Sequence, residues 1–370
     1  MSRMGAIFRA HATAYRLRFG SRMPAEHFRA MRDLRACHTA ALGGIRWHCT
    51  RCGTDHFTYR SCGNRNCPAC GQADASLWLE RQKRLLLPGV TYHLLTFTVP
   101  EALRRIIRSN PRECLAMLFD CAASTLLDLC RDPRHVGGQP ALTAVLHTWT
   151  RQLIYHPHVH FLASGGGLAA DGAWRFAHPR FLVPVHGLSR VFAARFRDAL
   201  RRHHPALFAH VPADTWRRSW VVHSKPVGSG GHALTYIARY LFRVALADSA
   251  ILRWNEQQVI FRYRDSSSRK PRTARLTPQE FIRRFLQHVL PSRFRKVRHY
   301  GLHHSFKRKP LRVLQAQLAL ANDQSMPPTD SPRRAPLPPP VCAQRQSTLV
   351  PVEVLPRGMR SLLTSPRAPP

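Results

Sequence analysis

The stretch Tyr155–Ser164, YHPHVHFLAS, decides how the chain is read. Its side chains alternate: Val159 and Phe161 point to one side as core residues, while His158 and His160 point to the other. That is a strand with an apolar face and a face carrying two imidazoles, spaced to grip one metal ion. His156 has the same parity and is a candidate third ligand, although Pro157 interrupts the strand there. With 22 histidines in the chain, a His-x-His of no functional meaning is the competing reading.

Working outward, TYHLLTFTV at Thr91–Val99 is a strand closed by Pro100, with His93, Leu95, Phe97 and Val99 on one face. TAVLHTW, AWRFA and SWVVHSKPV are further strands, GGGLAADG is a turn, and ILRWNEQQVIFRYR reads as a hairpin. Helical patterns lie between them: EALRRIIRS, PRECLAMLFDCAASTLLDLC with Pro in its first turn, VHGLSRVFAARFRDALRRHH, LTYIARYLFRVAL, and TPQEFIRRFLQHVL capped by Thr277. Strands and helices joined by short connections predict an α/β or α+β domain with a sheet at its centre. The Pro-rich sequence from about Ala321 onward is too poor in apolar residues to offset its ordering entropy, and a disordered tail is expected there.

In LTYIARYLFRVAL, Tyr236 and Tyr240 are four apart and share a helix face, with Arg239 and Arg243 beside them. Two aromatics flanking a core stripe would look the same. A Tyr-plus-Arg face is also what attack on a phosphodiester requires. A phenol of pKa ~10 is a weak nucleophile, so it needs a cation near the phosphoryl oxygen, and the histidine strand could hold one.

Ten cysteines in a chain with no secretory signal argue for metal before disulfides, and six of them fall between Cys37 and Cys70. CTRC (Cys49, Cys52) and CPAC (Cys67, Cys70) have the spacing of two knuckles enclosing one ion in a zinc-ribbon-like module. Such a closed site is structural, and Arg51, Arg60 and Arg65 around it would present cations to DNA phosphates. Cys62 and the Cys37–His38 pair could complete a second site, replace a knuckle ligand, or pack as ordinary side chains. Cys114, Cys121 and Cys130 read as core residues.

Fifty-seven Lys and Arg against 20 Asp and Glu give a formal charge of +37, spread along the whole length. A polyanionic partner follows, although charge alone names a partner class and no activity. No stretch approaches the ~20 apolar residues of a membrane span, and a cytoplasmic, nucleoid-associated location is expected.

Several blocks together resemble the two-tyrosine HUH transposases of rolling-circle insertion sequences, relatives of the common-region (ISCR) elements: CHTAALGG, SCGNRNCPAC, YHLLTFTVP, LHTWTRQLIYHPHVHFLASGGGL, YIARYLFRVAL and RKVRHYGLHH. The resemblance covers roughly residues 20 to 310. It implies an α+β architecture in which a zinc-ribbon-like module (1–90) precedes an HUH endonuclease domain (91–320) with a central antiparallel sheet flanked by helices, and a tail (321–370). Tyr236 or Tyr240 would attack single-stranded DNA at element ends or target, leaving a 5′-phosphotyrosyl enzyme and a free 3′-hydroxyl. His158 and His160 would hold a catalytic Mg²⁺ or Mn²⁺, although imidazoles on general grounds favour a transition ion. Structural Zn²⁺ would sit on Cys49, Cys52, Cys67 and Cys70, and Arg239, Arg243 and Arg65 would contact DNA. Where the family has His after LGG this chain has Ile45, which shifts weight onto the four knuckle cysteines. The competing readings are a replication initiator or relaxase with the same chemistry, and a zinc-dependent DNA-binding protein without catalysis.

Overall fold

The computed structural model describes residues 2–232, 234–235, 245–265, 268, 270–327, 340–342 and 348–358. Its contacts group the chain into two compact units: 1–74 with 243–289 and 333–370, and 75–242 with 290–332. The sequence reading places 243–289 with the second domain; the contacts group it with the first.

In the first unit, helices α1 (Arg3–Phe19) and α2 (Ala25–Ala36) come first. Met4, Ile7, Phe8, Ala12 and Tyr15 recur along one face of α1 and are buried. The Asp248 carboxylate accepts from the Ser2 hydroxyl (2.7 Å) and the Met4 amide (2.8 Å), placing a negative charge at the positive end of α1. Phe8 packs edge-on to Phe285 of helix α8 (Pro278–Leu286) at 5.4 Å. Thr277 caps α8 by accepting from the Glu280 amide, and Arg283 and Arg284 donate to the Glu280 carboxylate, which holds its pKa down to about 2. The hairpin ILRWNEQQVIFRYR forms as strands β9 (Ile251–Trp254) and β10 (Val259–Arg264), and β11 (Pro271–Leu276) completes a sheet with β10 at its centre. This unit therefore has an apolar core as well as its cysteines.

A second small sheet in this unit has the order β13-β1-β2, with β1 at Gly44–His48, β2 at Asp55–Tyr59 and β13 at Val350–Leu355. Part of the expected tail is thus built into the fold. Pro351 is tolerated because β13 is an edge strand. Residues 328–339, 343–347 and 359–370 lie outside the described residues.

Helix α3 (Gly71–Lys83) leads in sequence to the second unit. Its centre is an antiparallel sheet of order β12-β4-β5-β3-β8. The strands are β3 (Tyr92–Thr98), β4 (Ala141–Trp149), β5 (Tyr155–Ser164), β8 (Val222–Pro226) and β12 (Val297–Gly301). A short ribbon pairs β6 (Gly166–Leu168) with β7 (Trp174–Phe176). The antiparallel centre flanked by helices matches the α+β expectation.

One sheet face presents Leu95, Phe97, Leu142, Ala144, Leu146, Val159 and Phe161 to helices α5 (Pro111–Arg131) and α6 (Val185–His203), with α4 (Glu101–Ser109) and α7 (Pro205–Ala209) beside them. Phe97 lies between Phe161 and Phe192, at 5.5 and 5.2 Å. The opposite face presents Tyr92, Leu94, Ala141, Val145 and Leu162 to Leu87, Leu234 and helix α9 (Arg308–Ala321). Beyond Val145 and Leu162, that face passes to histidines.

Phe97→Ala removes a fully buried ring and should cost about 3–5 kcal/mol in urea unfolding. His303 is buried, faces the Thr143 hydroxyl through Nδ1 and the Leu85 carbonyl through Nε2, and burial lowers its pKa to about 3. A depressed histidine contributes stability that is present above the unfolded pKa of about 6.5 and lost as pH falls toward the folded value. Unfolding titrations from pH 6.5 to 3 should therefore show a slope of up to about 1.4 kcal/mol per pH unit from this group, absent in His303→Gln.

Candidate metal centres

Pairing of β4 with β5 sets Val145 opposite His160 and His147 opposite His158. Cross-strand partners share a face, so His147, His158 and His160 converge, with their donor nitrogens within 4.8 Å of one another. The ring centroids lie 4.5 Å apart for His147–His160 and 4.9 Å for His158–His160. His147 is the third member that sequence reasoning missed. His156, the candidate by parity, is not in the group.

The surroundings prepare the rings as ligands. His158 Nδ1 donates to the His156 carbonyl at 2.7 Å, which fixes the tautomer and leaves Nε2 for an ion. His160 Nδ1 is 2.9 Å from the hydroxyl of Thr96, its partner on β3. Burial lowers the pKa of His158 to about 4 and, with the charges of His158 and Lys225, that of His160 to about 3; burial likewise holds His147 well below its ordinary value. All three are neutral near pH 7, the state that binds metal. Among the described residues no carboxylate joins them. Three imidazoles fit a divalent ion at the softer end of the hard–soft range. His223 on β8, opposite Thr96, lies on the same face.

The cysteines gather into two clusters. Cys37 ends α2, and Cys62, Cys67 and Cys70 come from the loop after β2. The Asn64 side chain ties that loop together, accepting from the Asn66 amide and donating to Asp33 on α2, each at 2.9 Å. The Sγ separations are 3.6 Å for Cys37–Cys70 and Cys62–Cys70 and 3.5 Å for Cys37–Cys67. Tetrahedral zinc with Zn–S of about 2.3 Å spaces its sulfurs by about 3.8 Å, so the four thiols fit such an ion. Hydrogen bonding from Cys67 pulls the Cys62 pKa down to about 6, and burial pushes Cys37 up to about 12. A dication would relieve that crowding of incipient thiolates.

Cys49 and Cys52 are elsewhere, at the turn between β1 and β2, where the Gly53 amide closes the knuckle on the Cys49 carbonyl at 2.8 Å. Gly53 has φ +68°, the left-handed conformation glycine tolerates. The two knuckles therefore do not enclose one ion, as their spacing suggested. Each has its own partners, because Cys67 and Cys70 turn back toward the end of α2. Cys49 and Cys52 meet Cys342 instead.

Tyr236, Arg239, Tyr240 and Arg243 lie outside the described residues. Leu234, two positions before Tyr236, is buried against Leu94, Val145 and Leu162, on the sheet face that carries the histidines. Arg65 is exposed between Cys62 and Cys67. The block RKVRHYGLHH helps line a cleft of about 1100 Å³ in the second unit, bordered by Arg81, Arg84, Arg112, Arg298, Arg308 and Arg312, with Asp120 the one acid among its described lining residues. Its charge matches a polyanion.

Known proteins give this arrangement its context. Residues 7–99 match a family described as "Transposase zinc-binding domain", and residues 141–310 match one described as "Putative transposase". "Putative transposase y4qJ" of Sinorhizobium fredii is 35% identical over 314 residues, covering 80% of this chain and 78% of that one. The chain belongs to the IS91 family of transposases. "Transposase for insertion sequence element IS801" of Pseudomonas savastanoi pv. phaseolicola is 28% identical over 285 residues, covering 72% and 67%. No solved structure matches. A transposase acts on DNA, and the zinc-binding domain accounts for the cysteine-rich module. No helix among the described residues is long and apolar enough to cross a membrane.

For the histidine group, His147→Ala should weaken Mn²⁺ binding to the full chain at least about tenfold by calorimetry, and Thr96→Val by about 10–100-fold through loss of the hydroxyl that orients His160. His156→Ala should leave binding unchanged, since its backbone carbonyl, not its ring, holds His158.

Proposed function

We propose that this transposase cuts and rejoins single-stranded DNA by tyrosine transesterification, in the manner of two-tyrosine HUH enzymes and in rolling-circle transposition. The observation that carries the reading is the convergence of His147, His158 and His160 on one face of the sheet. A divalent ion held there, Mn²⁺ or Mg²⁺, would polarise a phosphoryl oxygen and stabilise transition-state charge. The neutral ligand set favours Mn²⁺ of the two.

In this reading the hydroxyl oxygen of Tyr236 or Tyr240 attacks phosphorus, its proton passing to solvent. The bond to the 3′-oxygen breaks, leaving a 5′-phosphotyrosyl ester and a free 3′-hydroxyl. Attack by a 3′-hydroxyl on that ester reverses the exchange, and the second tyrosine serves the second strand. Two features support the assignment: Leu234 is packed on the histidine face just before Tyr236, and an arginine-lined cleft lies in the same unit. Arg65, Arg239 and Arg243 contribute further phosphate contacts.

The test is incubation with Mn²⁺ and single-stranded oligonucleotides from the ends of the element encoding the chain, followed by denaturing electrophoresis. A covalent protein–DNA band is expected, reduced in Tyr236→Phe or Tyr240→Phe, lost in the double variant, and reduced at least about 100-fold in His158→Ala with binding retained. A wild-type protein that binds these oligonucleotides normally and forms no adduct would sink the catalytic reading.

A further inference from the structure

We infer that Cys49, Cys52 and Cys342 form a second structural metal centre, a zinc site that fastens the C-terminal segment onto the N-terminal module. Cys342 lies far outside residues 7–99, the span of the zinc-binding-domain match. Its donor atom nevertheless lies within 4.8 Å of both others, and Cys52 Sγ to Cys342 Sγ is 3.8 Å. That is about the edge of a thiolate tetrahedron around zinc and far beyond the ~2.05 Å of a disulfide. Cys49 and Cys342 are fully buried and pack with Leu349 and Trp47.

The backbone brings Cys342 there by a built route. The Leu349 amide donates to the Pro340 carbonyl at 3.1 Å, and Val341 bridges Thr348 in antiparallel sense, which anchors the backbone on both sides of Cys342's position to the stretch that enters β13. β13 pairs with β1 from Gly44↔Leu355 to His48↔Val350, and Arg46 of β1 reaches both Glu353 and Asp55. Pairing and thiol cluster therefore act on the same segment.

His56 is the candidate fourth ligand: its ring nitrogens do not lie within 4.8 Å of all three sulfurs, so a turn of its side chain would have to bring it in. It stands opposite Trp47 on β2, on the face that Trp47 shares with Cys49, and Cys49 itself bonds to Thr54, which makes His56 its diagonal neighbour. The Nε2 of His56 is buried with no hydrogen-bond partner among the described residues. A buried, unsatisfied imidazole nitrogen costs free energy that coordination would offset. With His56 turned in, the set would be Cys₃His, a known structural zinc type. In this chain Ile45, not histidine, follows the glycines Gly43 and Gly44, and it pairs with Val354 of β13.

The experiment is substitution of the full chain with Co²⁺, reading bound metal per chain and the thiolate-to-metal charge-transfer absorption. Two thiolate-bound ions per wild-type chain are expected, counted apart from any ion on His147, His158 and His160, which adds no thiolate charge-transfer band. Cys342→Ser should lose one and its share of the absorption; Cys37→Ser should lose the other, with the Cys342-dependent ion retained. That reciprocity separates loss of a site from loss of the fold. His56→Ala should weaken the Cys342-dependent ion at least tenfold. One thiolate-bound ion per wild-type chain, an unchanged thiolate-bound count in Cys342→Ser, or a Cys52–Cys342 disulfide by mass spectrometry in place of the second thiolate-bound ion would overturn the site. An unchanged His56→Ala spectrum would overturn its fourth ligand.

Discussion

The register between β4 and β5 is the constraint on which the second unit depends. A strand has a side-chain period of two, so sliding β4 by one residue against β5 would turn His147 into the apolar layer and bring Leu146 out to meet His158. The same slip would move Ala144 and Leu146 away from α5 and α6. Core and metal group are therefore fixed by one choice of pairing, and neither can be adjusted without the other. β3 on the far side of β5 adds a second lock, since Thr96 must stand opposite His160 for its hydroxyl to reach the ring.

The first unit achieves rigidity differently. Its aromatic contacts include Phe8 with Phe285, which joins parts of the chain more than 200 residues apart, and Phe261 with Phe281, which joins nearby ones. The two cysteine clusters then fix loops that have little apolar surface of their own. Net positive charge of this size opposes compaction. Paired carboxylates such as Asp248 and Glu280, placed where helix ends or arginines face them, offset part of that repulsion locally.

What the sequence made legible was local. His158 and His160 announce themselves by alternation, and the hairpin at Ile251–Arg264 by its turn between two short apolar runs. His147 was hidden because TAVLHTW is an almost wholly apolar run, in which one histidine looks like an ordinary buried residue, and only the pairing partner gives it meaning. The knuckles CTRC and CPAC were legible as metal ligands but not as members of different clusters, because spacing along the chain does not say which sulfurs meet. Cys342 carried even less signal, standing alone in Pro-rich sequence. The core under α1 was readable in principle from Met4, Ile7, Phe8 and Ala12, but its other half lies beyond residue 243.

The first unit is assembled from three separated stretches of chain, and that ordering sets a timetable for synthesis. When α1, α2 and the β1–β2 hairpin leave the ribosome, the strand that will cover the open edge of β1 is still some 290 residues from being made. Through that interval the hairpin edge is unpaired and the Cys49 knuckle lacks its distant thiol, while the second unit already has nearly all its strands available to fold. A message cut short near its 3′ end would therefore yield a chain whose histidine-bearing sheet is whole and whose N-terminal module is the unfinished part.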